Sequence, residues 1–280
     1  MPDARPPKIQ VYHTTAPTCF WSWGYEAVLN RLPLVYGDQI GINTMTSCVY
    51  TDFEDYLRHY DLTFDGLRVW TKEGIEIMGV PLGTDLRPGM FPKSVFPATL
   101  AAMAGYRQGP RKGARFNRAL MRLWSVELRD VTKRAVQREA AQEAGLDLAR
   151  FERDVADTKA RRAELVHQGH GFPHMPLGFY NLIVSDEDSR TVVLDYAFNP
   201  TVVEGAIDWL SGGRLRKSEP KDIAGYLREH GPAPLTEVAR MFGLPPAKAK
   251  TVLAGLEKKG RAERVLLAGA PHWGPSHRTR

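Results

Sequence analysis

Cys19 is the residue of this 280-residue chain best placed to do chemistry. It lies in Ala16-Pro17-Thr18-Cys19-Phe20-Trp21-Ser22-Trp23, directly after KIQVYHTT at 8–15, a β-branched and aromatic run that predicts a buried strand. From Phe20 the pattern turns helical, with Trp23, Ala27, Val28 and Leu29 to Leu32 at three- and four-residue spacing. A thiol where a strand ends and a helix begins faces unpaired N–H groups and the positive end of the helix dipole. Both favour the thiolate, the form that attacks disulfides. The expectation is a reactive Cys19; the competing expectation is a buried, inert cysteine. Phe20 and Trp21 are candidate walls of an apolar groove for a peptide or aromatic substrate. Trp21 is the better placed for exposure, and Trp23 for the core.

Cys48, the second of only two cysteines, falls near the C-terminal end of a second predicted strand, DQIGINTMTSCVY at 38–50. Two cysteines exclude a disulfide framework and a four-thiolate zinc site. The C-terminal ends of adjacent parallel strands share an edge about 5 Å apart. Cys48 is therefore a candidate resolving thiol, or else a small apolar filler.

The elements that must position these groups are legible from periodicity. A helical block of several pieces covers about 93–168, with Gly145 as a C-cap. Strands LGFYNLIVS (177–185) and TVVLDYAF (191–198) form a hairpin around Asp186–Ser189. Asn199 caps a helix with Pro200 at its first position, ending before Gly212-Gly213. With right-handed crossover the first two strands are parallel and the hairpin antiparallel. The fold class expected is α/β, a thioredoxin-type mixed sheet with a helical insertion.

Composition adds limits. At 43% hydrophobic and 25% charged, the chain is neither disordered, collagen-like nor coiled-coil. No apolar run approaches the roughly 18 residues of a membrane helix. The start, MPDARPPKIQ, has proline and charge where a secretory signal has an apolar core. The expectation is a cytoplasmic protein without membrane contact. Residues 214–280 carry 14 Lys and Arg against 6 Asp and Glu, whereas 1–213 carry 24 against 26. That asymmetry predicts a domain at 1–213 and a second at 214–280, joined by the polar RLRKSEPKD (214–222). DIAGYLREHG, LTEVARMFG and PPAKAKTVLAGLEKKG predict three short helices, and RAERVLLAGAPHWG a hairpin, together a winged helix-turn-helix. Lys248, Lys250, Lys258 and Lys259 on the third helix, with Arg261, Arg264 and His272 near the wing, are candidates for contact with DNA phosphates. The alternatives are a solvated lysine face and a protein-docking module.

The order strand–PTCFWSW–helix, the helical block and the returning hairpin resemble the DsbA-like branch of the thioredoxin superfamily over about 8–213, as does KRAVQREAAQEAGLDLARFERDV in the block. Kappa-class glutathione transferases and chromene-carboxylate isomerases are a weaker match, having serine where this chain has Cys19. The DsbA-like resemblance implies thiol–disulfide oxidoreductase or isomerase activity through a mixed disulfide, on a protein or glutathione. It implies no cofactor beyond glutathione as co-substrate. Family members carry a second motif cysteine that releases the mixed disulfide; here that position is Ser22, so release needs another thiol. The resemblance also implies a cis-proline before the third strand, with the preceding backbone contacting substrate. Pro173 and Pro176 compete; Pro176 directly precedes LGFYNLIV, which favours it and puts Met175 against substrate. The loop ahead of it carries His167, His170 and His174, of which His174 is the foremost candidate to stabilise the thiolate; His13 is another. Three imidazoles and a thiolate suit zinc, but the loose spacing assigns no metal. Members acting as protease adaptors imply the alternative: a non-catalytic adaptor or redox-responsive regulator.

Overall fold

The computed structural model describes residues 9–160 and 181–276. Strand β1 (Ile9–Thr15) runs parallel to β2 (Ile40–Thr46), in register from Ile9 opposite Ile40 to Thr15 opposite Thr46. A parallel pair needs a crossover, supplied by helices α1 (Phe20–Gly24) and α2 (Glu26–Tyr36). Strand β3 (Asn181–Ser185) lies antiparallel to β1, and β4 (Thr191–Asp195) antiparallel to β3, giving the order β2-β1-β3-β4. This is a thioredoxin-like α/β arrangement with a mixed sheet. Strand β2 is shorter than the 38–50 read from the sequence: Gly37–Gln39 form a 3₁₀ turn, and after Ser47 donates to the Thr15 carbonyl the chain leaves the sheet.

Between β2 and β3 the chain is helical: α3 (Phe53–His59), α4 (Phe64–Met78), α5 (Phe96–Tyr106), α6 (Pro110–Ser125), α7 (Arg134–Glu143) and α8 (Leu148–Ala160). Helices thus begin at Phe53, well before position 93. The carboxylate of Asp52 accepts the N–H groups of Glu54 and Asp55 to start α3, and the Thr63 hydroxyl accepts that of Gly66 to start α4. Helix α5 is built of small residues, which lets α6 cross closely: a Cβ on Gly105 would lie 2.4 Å from the Phe116 ring. The helical block has its own core around Phe116, Leu120, Leu123 and Phe151, separate from the sheet core of Val11, Val28, Leu182, Val184 and Ile207.

Helix α9 (Pro200–Ser211) is capped by Asn199, which accepts the Thr201 N–H, and stops at Gly212 with φ +62°. Beyond it, α10 (Ile223–His230), β5 (Ala233–Pro234), α11 (Leu235–Met241), α12 (Pro246–Lys258) and the hairpin β6 (Ala262–Leu267)–β7 (Ala270–Pro275) enclose a third core of Leu227, Val238, Met241, Leu253 and Trp273. Residues 214–222 are no free tether. Ser218 donates to the Val35 carbonyl, Gln39 bonds both backbone groups of Arg216, and Lys217 pairs with Asp208. Among the described residues no helix is long and apolar enough to cross a membrane.

Candidate active site

Cys19 sits at the N-cap of α1, its N–H bonded to the Ala16 carbonyl. The position is the one the sequence predicts; the electrostatics differ. Cys19 is buried, 4% exposed, and burial pushes its thiol up to about 11. The N–H groups of Ser22 and Trp21 and the Ser22 hydroxyl favour the thiolate, as a helix start should, but do not overcome the loss of water. The helix start acts on Cys19 in the expected direction, and burial acts against it and outweighs it.

Ser22, fully buried, accepts the Ala16 N–H at 3.3 Å and ties the turn to the helix. His13 is 1% exposed, packs against the Tyr25 ring at 5.0 Å with the planes tilted by 57°, and is pushed down to about 3 by burial. It is uncharged and cannot serve as a cation for the thiol. Cys48 lies just past β2, half-buried, its Sγ donating to the Tyr50 carbonyl at 3.0 Å; neither cysteine is in a disulfide. His167, His170, Pro173, His174, Met175 and Pro176 lie outside the described residues. No cis peptide bond and no group of metal ligands occurs among those described.

The aromatic residues of the motif also divide differently from expectation. Trp21 is buried, at 5%, packed between Phe20, Trp70, Tyr196 and Phe198. Its large ring is taken up by α4 and the loop after β4, which the motif alone does not reveal. Trp23 is core, with the Arg118 guanidinium 4.8 Å over its ring.

Cys19, Phe20 and Trp21 nevertheless line one cavity of about 120 Å³, between the thioredoxin sheet and the helical block. Its other walls are Tyr50, Phe53, Tyr56, Tyr60, Trp70, Phe91 and Trp124, with Leu67, Leu82, Leu86 and Leu128. Among the described residues none of its lining side chains is charged. These residues escaped the motif-based reading. The signal was present in the 3-, 3- and 4-residue spacing of Tyr50, Phe53, Tyr56 and Tyr60, a helical aromatic stripe.

In the C-terminal unit, Lys248, Lys250, Lys258, Lys259, Arg261 and Arg264 are exposed. His272 is not a phosphate ligand: it is fully buried, and burial lowers its basicity. The hairpin tip Leu266–Ala270 is uncharged, with Leu266 73% exposed and Leu267 packed against the sheet core.

A fold with a cysteine at the β1–α1 junction and a helical block inserted before the antiparallel hairpin defines the thioredoxin class. The family model described as "Thioredoxin" matches residues 12–165, and the chain belongs to this family. Over 95% of its length and 88% of theirs, it is 25% identical to the "ClpXP adapter protein SpxH" of Halalkalibacterium halodurans. A solved structure from Nitrosomonas europaea with a disulfide-isomerase description superposes with TM-score 0.58 at 20% identity, covering 73% of this chain and 98% of that one. The cytosolic disulfide reductase DsbM of Pseudomonas aeruginosa superposes with TM-score 0.50 at 22% identity, covering 71% and 97%.

Proposed function

We propose that this protein is an adaptor: a DsbA-like thioredoxin domain that binds a protein partner at the cavity beside Cys19, with a winged helix-turn-helix at 214–280 as a second contact surface. The carrying observation is the state of Cys19, a buried thiol pushed up to about 11 with serine rather than cysteine at position 22. Such a sulfur shapes a pocket better than it attacks a disulfide. The relative named ClpXP adapter aligns along 95% of this chain, a span that must include most of 214–280, and supports a ClpXP-type protease as partner. For the winged helix, the uncharged hairpin tip and the burial of His272 favour protein over DNA contact. The test is co-elution of the purified chain with ClpXP on gel filtration. A complex that Cys19→Ser leaves intact is expected; no complex, or one lost with the thiol, overturns the reading.

A second reading, single-thiol exchange, is favoured by the place of Cys19 on a cavity wall with Trp21 N–H, Ser22 N–H and the Ser22 hydroxyl around it. Cys19 would attack a substrate disulfide, expel one thiolate and hold the other half as a mixed disulfide; Ser22 cannot release it. Glutathione, or Cys48, would then resolve it, with Met175 and Pro176 contacting substrate by resemblance. Mass spectrometry after glutathione disulfide treatment at pH 7 separates the two. A Cys19 adduct that glutathione removes supports exchange, and an unmodified Cys19 supports the adaptor.

A further inference from the structure

A cleft of about 1070 Å³ lies between the two units. The thioredoxin unit lines it with α2, β2 and the N-terminal half of α6, and the C-terminal unit with residues 220–222 and α10. Among the described residues it shares no wall with the cavity beside Cys19.

One stretch of its lining is aliphatic. Leu29 and Ile42 are half-buried against the sheet core, and Leu34, which also lines the cleft, is 50% exposed. A leucine that open in a concave wall is apolar surface left to water, and covering it is favourable.

The rest of the lining carries more positive than negative charge. Arg118 is taken up by Glu26 and Glu237 and has none to spare. Each of the other two lining carboxylates is divided between two arginines. Glu229 pairs with Arg111 and, at 3.6 Å, with Arg115. Asp222 lies 3.8 Å from Arg228 and 4.0 Å from Arg261. Lys221, exposed on the same wall, has no carboxylate partner among the described residues. The start of α6 belongs to this wall and has neither a side-chain cap nor an acidic residue in its first turn, so its dipole adds to the positive side. His230, also on the lining, feels the imbalance. Burial lowers it to about 3, and Arg118, Arg115 and Arg111 lower it further while Glu229 alone opposes them.

An occupant that suits both parts of the lining carries carboxylates around an aliphatic side chain. A nucleic acid would bring anions for the arginines but leave the leucine and isoleucine surface unmatched. We infer that the cleft docks an acidic segment of a protein partner, with an aliphatic side chain on Leu29, Leu34 and Ile42 and its carboxylates at Arg111, Arg115, Arg228 and Lys221. This rests on the adaptor reading for a protein partner and adds to it a contact surface that both units build.

The probe is a blocked peptide, Glu-Asp-Leu-Leu-Asp-Glu, carrying a neutral coumarin and read by fluorescence anisotropy with the full chain at about 150 mM salt, where exposed charges more than roughly 8 Å apart are screened. Saturable binding is expected, about tenfold weaker when serine replaces both leucines, and absent when lysine replaces every acid. Arg111→Gln with Lys221→Gln should weaken the acidic peptide about tenfold. Arg111 is exposed, Glu229 keeps Arg115, and Lys221 has no ion pair to lose, so the urea midpoint should hold. Leu34→Ser should bring the leucine peptide down to the affinity of the serine peptide and leave the latter unchanged. Lys258→Glu with Lys259→Glu, away from the cleft, should change neither. No saturation, equal affinity for the lysine or serine peptide, or a loss as large in the α12 variant as in the cleft variant overturns the inference. So does a twelve-nucleotide single-stranded DNA that displaces the peptide at a lower concentration than unlabelled peptide does, which would assign the cleft to nucleic acid. ClpXP co-elution is read without peptides, which keeps the two readings apart. Co-elution without peptide binding retains the adaptor and removes this cleft from it; peptide binding without co-elution retains the cleft and removes ClpXP as the partner.

Discussion

Arg118 on α6 and Glu237 on α11 meet at 2.8 Å across the boundary between the thioredoxin unit and the C-terminal unit, with side chains only 4% and 2% exposed. The same guanidinium donates to Glu26 on α2 at 2.7 Å and to the carbonyls of His230 and Pro232. Tyr226 adds its hydroxyl to Glu237. A second arginine repeats the pattern: Arg31 bonds Glu204 at 2.6 Å, the Met241 carbonyl at 2.9 Å and Glu219 at 3.3 Å. Two buried guanidinium groups thus fasten the units, Arg118 through pairs shielded from water and Arg31 through the Met241 carbonyl and the exposed Glu219.

Removing one partner of a buried pair leaves the other charge unpaired, and Arg118 serves two carboxylates. Arg118→Ala is expected to cost about 3–5 kcal/mol of stability in urea unfolding. It should also expose 214–222 to limited proteolysis. An unchanged unfolding midpoint and cleavage pattern would show that the units dock without it.

Acid sensitivity follows from His13. Unfolded, its imidazole takes a proton near 6.5; folded, burial holds it to about 3. The unfolded chain therefore binds the extra proton between those values. Stability is full above pH 6.5 and falls as the pH drops toward 3, by on the order of 3 kcal/mol at pH 4.5 from this group. His230, lowered to about 3 by burial and then by Arg118, acts in the same direction. His13→Phe, which keeps a ring against Tyr25, should shallow the slope of stability against pH in urea titrations, leaving the part due to His230.

Cys19 should alkylate slowly with iodoacetamide at pH 7 in the folded protein, with Cys48 modified first. The Cys19 rate should climb about tenfold per pH unit up to a plateau near 11. Unfolding in urea should remove the difference between the two cysteines. Fast Cys19 labelling at neutral pH would reinstate the thiolate.

Gly24 ends α1 against the core, where a Cβ would lie 2.5 Å from Met78 Sδ and 2.9 Å from the Phe198 ring. Met78 and Phe198 are buried, so neither can swing into solvent. Gly24→Ala should lose about 1–3 kcal/mol in thermal or urea unfolding.

The exposed lysines of α12 have no ion pair among the described residues, so they remain available to polyanions. The full chain should retain a DNA duplex at low salt, lose it by about 150 mM, and lose it at all salt levels with Lys258→Glu and Lys259→Glu. Sequence-selective retention at 150 mM would instead make DNA a genuine partner of the C-terminal unit.

The strands, the motif cysteine and the caps were readable because each is a local property: β-branched runs, Asn199-Pro200, Gly212. The cavity was not, because its walls come from Cys19, the Tyr50–Tyr60 stripe, Trp70 and Trp124, which only the fold brings together. The charge of 214–280 was likewise readable as a sum but not in its placement. Arg240, counted as tail basicity, reaches back to the Met78 carbonyl, and Lys217 is committed to Asp208. Nor could a motif reveal that burial would outweigh the helix start at Cys19, since the covering residues are distant in sequence.

Stitching of Ser218 to Val35 and of Arg216 to Gln39 turns what looks like a hinge into a spacer of set length. On the adaptor reading, two contact surfaces held at constant separation would work as a caliper: a partner whose own contact points match the span gains avidity from the second contact, and one of the wrong span gains none.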